Sequence, residues 1–372
     1  MVDSHLVLRD KLRRLADWQA PKAVVISAYL DLRPGGENPA MRPAQVVLRD
    51  RLREIERSFQ EHTPEHAAFT ADAERINAYI EERLPNIAGV ALFAGAGLGF
   101  ESAETRIELE NEVSLAPHPV LLPLARLADA EQAVVALADT NTLRLFVHRS
   151  GALEEVGLVD DDPGDYSKSE AGGWSQARFQ RRVQEHREAF ARLAVEAIGE
   201  LVELESAQVL LIAADDVAMP ILRDELPKPL AAIFSGSFGM DMRATLSDVE
   251  AQALPLLAAV RAEAAADAAD RLVGAARGDA MGIGGFRSTR NALMLGQVLE
   301  LIIDPGKING GNTDVEELIR LAASTGARIR FAAEHEGLGE LGGVGGLLRF
   351  RLDRPIDDPN VDVHALAGKA TL

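Results

Sequence analysis

The residues best suited to chemistry stand in one stretch, SEAGGWSQARFQRRVQEH, residues 169–186. Gly172 and Gly173 give the backbone access to positive φ and a close approach with no Cβ in the way. A helix starting just beyond them offers unpaired N–H groups and the positive end of a dipole, which together draw anions. On a helical wheel Arg178, Arg181, Arg182 and Arg192 fall within roughly a 100° arc beside an apolar face, interrupted by Glu185. His186 projects onto the apolar side and reads as a packed histidine. Two readings are open here: a phosphate-contacting device, or a loop followed by a solvated helix face.

Other chemistries find less. The chain has no cysteine, which excludes disulfides, thiol catalysis and Cys-ligated zinc. Its eight histidines are scattered, and a zinc hydrolase is not expected. Asp160, Asp161, Asp162 and Asp165 could ligate a divalent cation or form an acidic surface loop. GLGELGGVGG, residues 337–346, has the glycines of a nucleotide-binding loop but precedes a strand pattern rather than a helix. There is no P-loop lysine pattern, so no cofactor and no metal are expected.

The elements that must position the glycines and arginines come from periodicity. AVVALADTNTLRLFVHRSGALEEVGLV reads as three short strands broken at Asp139–Asn141 and Ser150–Gly151. An acidic loop, residues 160–173, leads into a long helix from about Ser175 to Val202. Its apolar face is expected through Phe179, Val183, Phe190, Leu193, Ala197 and Leu201. AQVLLIAA, residues 207–214, is apolar enough for a strand covered on both faces.

The first segment reads as α/β, with strands at 23–32 and 86–95, a helix at 44–59, and an exit from the domain at SLAPHPVLLP, residues 114–123. From about Ser247 an Ala-rich helix runs to Arg277. The last segment alternates helix and strand: TRNALMLGQVLELIID turns at Gly296, and a second helix has Thr313 and Glu316 at capping-box spacing and Gly326 at its C-cap. A final strand is expected at LLRFRL.

The net charge of -19 is concentrated in the middle, where residues 126–262 hold 13 basic and 23 acidic side chains. That balance suits a solubilising acidic surface, or a basic tip on an acidic body. No apolar run is long enough to span a bilayer and the N-terminus lacks a signal peptide's apolar segment, so a cytoplasmic location is expected, with no membrane partner.

GGWSQARF resembles, without a gap, the GGQ-loop signature of the archaeal and eukaryotic class I release factor family, in which Gly-Gly-Gln-Ser is followed two residues later by Arg-Phe. Gly172, Gly173, Ser175, Arg178 and Phe179 match it. Residues 282–304 resemble the entry to that family's third domain, and residues 337–353 its closing Gly-rich segment. The likeness fits best a bacterial branch of this family, to which Pelota-type ribosome rescue proteins also belong.

The resemblance implies an α/β chain of three domains, at 1–125, 126–255 and 256–372. The central domain has a mixed sheet and the GGQ-like loop, and the C-terminal one an α/β sandwich. It implies a ribosome-associated factor acting near the peptidyl transferase centre in peptide release or rescue. Gly172, Gly173, Trp174, Ser175, Arg178, Arg181 and Arg182 would contact rRNA or tRNA, and the last domain would dock a translational GTPase or the ribosomal stalk base. Trp174 stands where the family has its catalytic Gln. It retains a backbone N–H for positioning water, yet its bulk crowds such a site unless the indole stacks on a base. Gln176 could take the catalytic place after a register shift, or be a plain helix residue. The first segment has no Asn-Ile-Lys-Ser stretch, so stop-codon decoding is not expected. The rival readings are a non-catalytic rescue or hibernation factor, a tRNA-cleaving nuclease drawing on Lys168, Glu170 and Gln176, and a protein–protein module favoured by the net charge.

Overall fold

The computed structural model describes residues 4–18, 24–33, 43–82, 87–129, 132–149, 151–160, 173–278, 280–308 and 311–351. The chain divides into two compact units, one of Met1–Ala130 with Ala262–Leu372 and one of Glu131–Arg261. Three sheets account for the described strands.

The first unit opens with α1 (Ser4–Ala16), β1 (Val25–Asp31), α2 (Pro43–Glu56), α3 (Pro64–Glu82), β2 (Gly89–Gly95), β3 (Gly99–Thr105), β4 (Glu112–Ala116) and α4 (Leu122–Ala128). The strands form an antiparallel sheet in the order β3-β2-β1-β4. β1 and β2 are apolar runs rather than alternating ones because both faces are covered. Ile26, Leu30 and Leu92 meet α2 and α3 on one side, while Tyr29, Ala91 and Phe93 meet α1 and α4 on the other. SLAPHPVLLP thus belongs to the fold: it begins as β4 against β1, and the Val120 carbonyl accepts the Tyr29 hydroxyl at 2.6 Å.

The second unit contains β5 (Ala133–Ala138), β6 (Thr142–Arg149), β7 (Ala152–Asp160), α5 (Gly173–Glu205), β8 (Val209–Ala214), α6 (Ala218–Glu225), α7 (Lys228–Ile233) and β9 (Phe234–Phe238). A long helix, α8 (Leu246–Arg277), follows. The mixed sheet runs β7-β6-β5-β8-β9, antiparallel through the meander and parallel from β5 to β9. Every residue of β8 is buried: Leu210, Ile212 and Ala214 face α5, and Val209, Leu211 and Ala213 face the start of α8.

The chain returns to the first unit with β10 (Gly282–Gly284), α9 (Phe286–Met294), β11 (Val298–Ile303), α10 (Gly311–Ser324), β12 (Arg328–Phe331), α11 (Glu336–Glu340) and β13 (Val344–Leu348). Their sheet is ordered β10-β13-β11-β12 and shares one hydrophobic core with α1, α4 and the first sheet.

Two expectations are corrected in this segment. The last strand begins inside the glycine run at Val344 and ends at Leu348 rather than running through LLRFRL. Glycine is required there: a Cβ on Gly345 would lie 2.5 Å from the Ile283 carbonyl oxygen, so no larger residue fits between β10 and β11. The Thr313–Glu316 capping box does not form, because α10 already starts at Gly311 and Glu316 is used elsewhere. Its carboxylate accepts the N–H groups of Leu121 and Leu122 at the start of α4. Gly326 does end α10 in a left-handed conformation, with Ala327 N–H donating to the Ala322 carbonyl.

Candidate nucleic-acid interface

The arginine-rich helix is α5, and its geometry follows from a mismatch of lengths. Its 33 residues make a rod about 50 Å long, whereas the six-residue strands beside it span about 20 Å. Core contact starts at Phe190 and continues through Ala191, Ala194, Val195 and Ile198. That stretch to Glu205 matches the strands in length, and about 25 Å of helix remains N-terminal to it. None of residues 181–189 is buried.

The core-facing side differs from the one periodicity suggested. Phe190 is 1% exposed as expected, Ala197 and Leu201 are partly buried, and Val183 is half-buried. Leu193 is 43% exposed, and Val195 and Ile198 take its place against the sheet. The whole face is therefore turned round the helix. Arg181, Arg182 and Arg192 then lie on the side away from the core, roughly 110–150° from its centre.

Arg181 and Arg182 are exposed, and among the described residues neither has a hydrogen-bond or ion-pair partner. Arg192 is different: its guanidinium reaches Glu225 of α6 at 3.3 Å and Glu188 at 3.9 Å, which engages it within the unit. His186 marks where the helix leaves the sheet. Its Nε2 lies 3.2 Å from Asn141 Oδ1 in the β5–β6 turn. That turn is held by Asp139, whose carboxylate accepts the N–H groups of Asn141 and Thr142 at 2.8 and 2.7 Å. The expectation of a packed histidine holds in that the ring is half-buried and bonded. The Asn141 contact has no signal in the local sequence, because residues 141 and 186 meet only through the fold.

Gly173 is the first residue of α5, and Trp174, Ser175, Gln176, Arg178 and Phe179 follow within its opening turns. The side chains of residues 174–180 lie outside the described residues, as does Gly172 with the acidic loop and its Lys168 and Glu170. Asp161, Asp162 and Asp165 fall there too; Asp160, at the end of β7, accepts the Thr142 hydroxyl at 3.4 Å. Among the described residues no group of three or more His, Asp or Glu could hold a metal ion.

Electrostatics along α5 run against the helix dipole. From Gly173 to Ala189 there are four arginines (178, 181, 182, 187) against Glu185 and Glu188, whereas Phe190–Glu205 holds Arg192 against Glu196, Glu200, Glu203 and Glu205. Cations stabilise a helix at its C-terminal end and anions at its N-terminal end. Here the arginines add to the positive end of the dipole, and the sum favours a bound anion. On the neighbouring hairpin the Arg144 guanidinium bonds Glu155 at 2.8 Å and holds its carboxyl below the usual range. This acid is thereby already neutralised by a partner.

Residues 119–258, which contain α5 and the meander, match the bacterial archaeo-eukaryotic release factor family 10. No curated protein matches the chain. Among solved structures, the archaeal translation termination factor aRF1 is 18% identical over 93% of this chain and 98% of that one, with a TM-score of 0.27. Ribosome-bound archaeal Pelota, solved with ABCE1, is 14% identical over 92% and 94% of the two chains, with a TM-score of 0.43. Dom34 of S. cerevisiae is 11% identical over 70% and 76%, with a TM-score of 0.42. No described helix is long and apolar enough to cross a membrane.

Proposed function

From the match of residues 119–258 to the bacterial archaeo-eukaryotic release factor family 10, we propose that this protein is a ribosome-associated factor of peptide release or ribosome rescue. The tip of α5 is its RNA-contacting element. Arg178, Arg181 and Arg182 meet phosphates, while Gly172 and Gly173 let the loop backbone approach rRNA or tRNA near the peptidyl transferase centre. The observation that carries the reading is the reversed charge order of α5, which costs helix stability and is offset when an anion binds. In this reading the chain works as three segments, 1–125, 126–255 and 256–372. The last of them docks a translational GTPase, and the setting is cytoplasmic.

Trp174 in the family's Gln position favours a second version of the same reading, a rescue or hibernation factor that occupies the site without hydrolysing an ester. An indole stacks on a base at any sequence, which suits a plug as well as a positioning group. After a shift of loop register, Gln176 is the side chain that takes the water-orienting place. A tRNA-cleaving nuclease would draw instead on Lys168, Glu170 or Gln176 as its base.

The test is sedimentation with 70S ribosomes at low and moderate salt, with the Arg178→Ala, Arg181→Ala, Arg182→Ala triple variant alongside. Co-migration of the wild type that the triple variant loses, more completely as salt rises, is expected. A wild type that stays at the top of the gradient with vacant and tRNA-loaded ribosomes alike overturns the reading.

A further inference from the structure

A second cationic row stands in the first unit, on α2. Arg49, Arg53 and Arg57 are four residues apart, and the Arg57 N–H donates to the Arg53 carbonyl at 3.3 Å, so the helical turn runs on through Arg57. The three side chains therefore share an 80° arc and stand about 6 Å apart along the axis. Val46, 44% exposed, lies on the same strip. The strip is on the far side of α2 from Ala44, Leu48 and Leu52, which pack against the sheet.

Like charges at this spacing repel and weaken a helix. In a chain with 58 acidic side chains the ordinary remedy is an acid alongside. The acids of α2 are engaged otherwise: Glu54 bonds Arg51 at 2.6 Å, and Glu56 lies 3.2 Å from His66. Asp50 reaches Arg49 only at 4.0 Å. Among the described residues Arg53 and Arg57 have no side-chain hydrogen bond or ion pair, and both are exposed. The row is thus a regularly spaced line of guanidinium groups in which Arg53 and Arg57 are unneutralised and Arg49 is paired only at 4.0 Å.

We propose that Arg49, Arg53 and Arg57 form a second RNA-backbone contact, taking successive phosphates of one strand. It rests on the proposed function only in naming RNA as the partner. Guanidinium groups suit phosphate oxygens by their paired donors, and a row with no aromatic or amide side chain among them contacts backbone without reading base sequence.

The experiment measures binding of the full chain to a labelled oligouridylate across a salt series. The variants are Arg49→Gln/Arg53→Gln/Arg57→Gln, the α5 arginine triple, and Arg51→Gln as a same-helix control. Glutamine keeps helix propensity, and the circular dichroism of each variant reports that the fold is intact. The α2 triple is expected to flatten the slope of log K against log salt by about 2 units, near 0.7 per lost phosphate contact on a single strand. Arg51→Gln is expected to leave it unchanged. An unchanged slope in the α2 triple, with the α5 triple still lowering it, overturns this inference and leaves the proposed function standing. No measurable RNA or ribosome binding by the wild type overturns both. Binding to phosphatidylserine vesicles that the α2 triple loses, while its RNA binding is unaltered, also overturns the inference in favour of a membrane surface.

Discussion

Glu316 of α10 caps α4, whose N-cap residue is Leu121. Its two carboxylate oxygens accept the N–H groups of Leu121 at 2.6 Å and Leu122 at 2.9 Å, where no side chain of α4 caps its own N-terminus. At the other end of α4 the Asp129 carboxylate accepts the Phe331 N–H of β12 at 3.2 Å. Two carboxylates, one from each part of the chain, therefore tie the early segment to the late one inside the first unit.

Replacing Glu316 by Ala leaves two part-buried donors without an acceptor. The expected loss is about 1–3 kcal/mol, the usual cost of buried polar groups left unmade. A fall in the urea midpoint of the full chain, with the far-ultraviolet spectrum retained before the transition, is the readout. A midpoint unchanged within error would show that solvent already serves those N–H groups.

The pH dependence of the same site has a definite sign. Burial outweighs the two N–H donors, Glu112 adds repulsion, and the Glu316 carboxyl is lifted above its ordinary value of 4.5. The native state then holds this proton more tightly than the unfolded chain. The resulting stability is fully present below the ordinary value and is lost as pH rises through the raised one. Glu316→Gln has no such proton to lose. Its stability relative to wild type should therefore rise between about pH 4 and pH 7, and a flat difference across that range would contradict the assignment.

Gly345→Ala tests the close approach of β13 to its neighbours. The added Cβ would meet the Ile283 carbonyl oxygen at 2.5 Å and Leu272 Cδ2 at 2.7 Å. A backbone oxygen cannot swing aside as a side-chain tip can, so a cost towards the upper end of the about 1–3 kcal/mol typical of overpacking is expected. Thermal unfolding of the variant reads it directly. Gly342, which has open space around its Cβ position, differs in that its cost comes from φ alone.

Trp174→Gln installs the residue that the release factor signature resembled by GGWSQARF has at that position. If the loop is otherwise competent, the variant should release peptide from ribosome-bound peptidyl-tRNA where the wild type does not, measured as freed labelled peptide. Equal, background release by both proteins would favour the occupying factor over the hydrolase.

How much of this was legible beforehand depends on range. β1, β2, β8 and the meander were readable because apolar runs and turn residues are local signals. α1 and α3 were missed: α3 carries Asp72 among its buried residues, and its apolar positions are diluted by exposed charge. On α5 the extent was clear, but the direction of its buried face was not. Leu193 and Val195 are equally apolar, and only the sheet beneath decides which of them is covered.

The sequence by itself determined the class of protein. The α/β alternation, the glycines ahead of an arginine-rich helix, and the absence of cysteine and P-loop lysine all follow from residue type and spacing. Tertiary structure alone decided that Glu316 caps a helix 195 residues away in the chain, that His186 meets Asn141, and that Arg192 is engaged with Glu225 while Arg181 and Arg182 stand exposed. The physical reason is that propensity and periodicity act within a turn or two of backbone. A carboxylate's partner, by contrast, is whichever donor the packed core brings within about 3 Å.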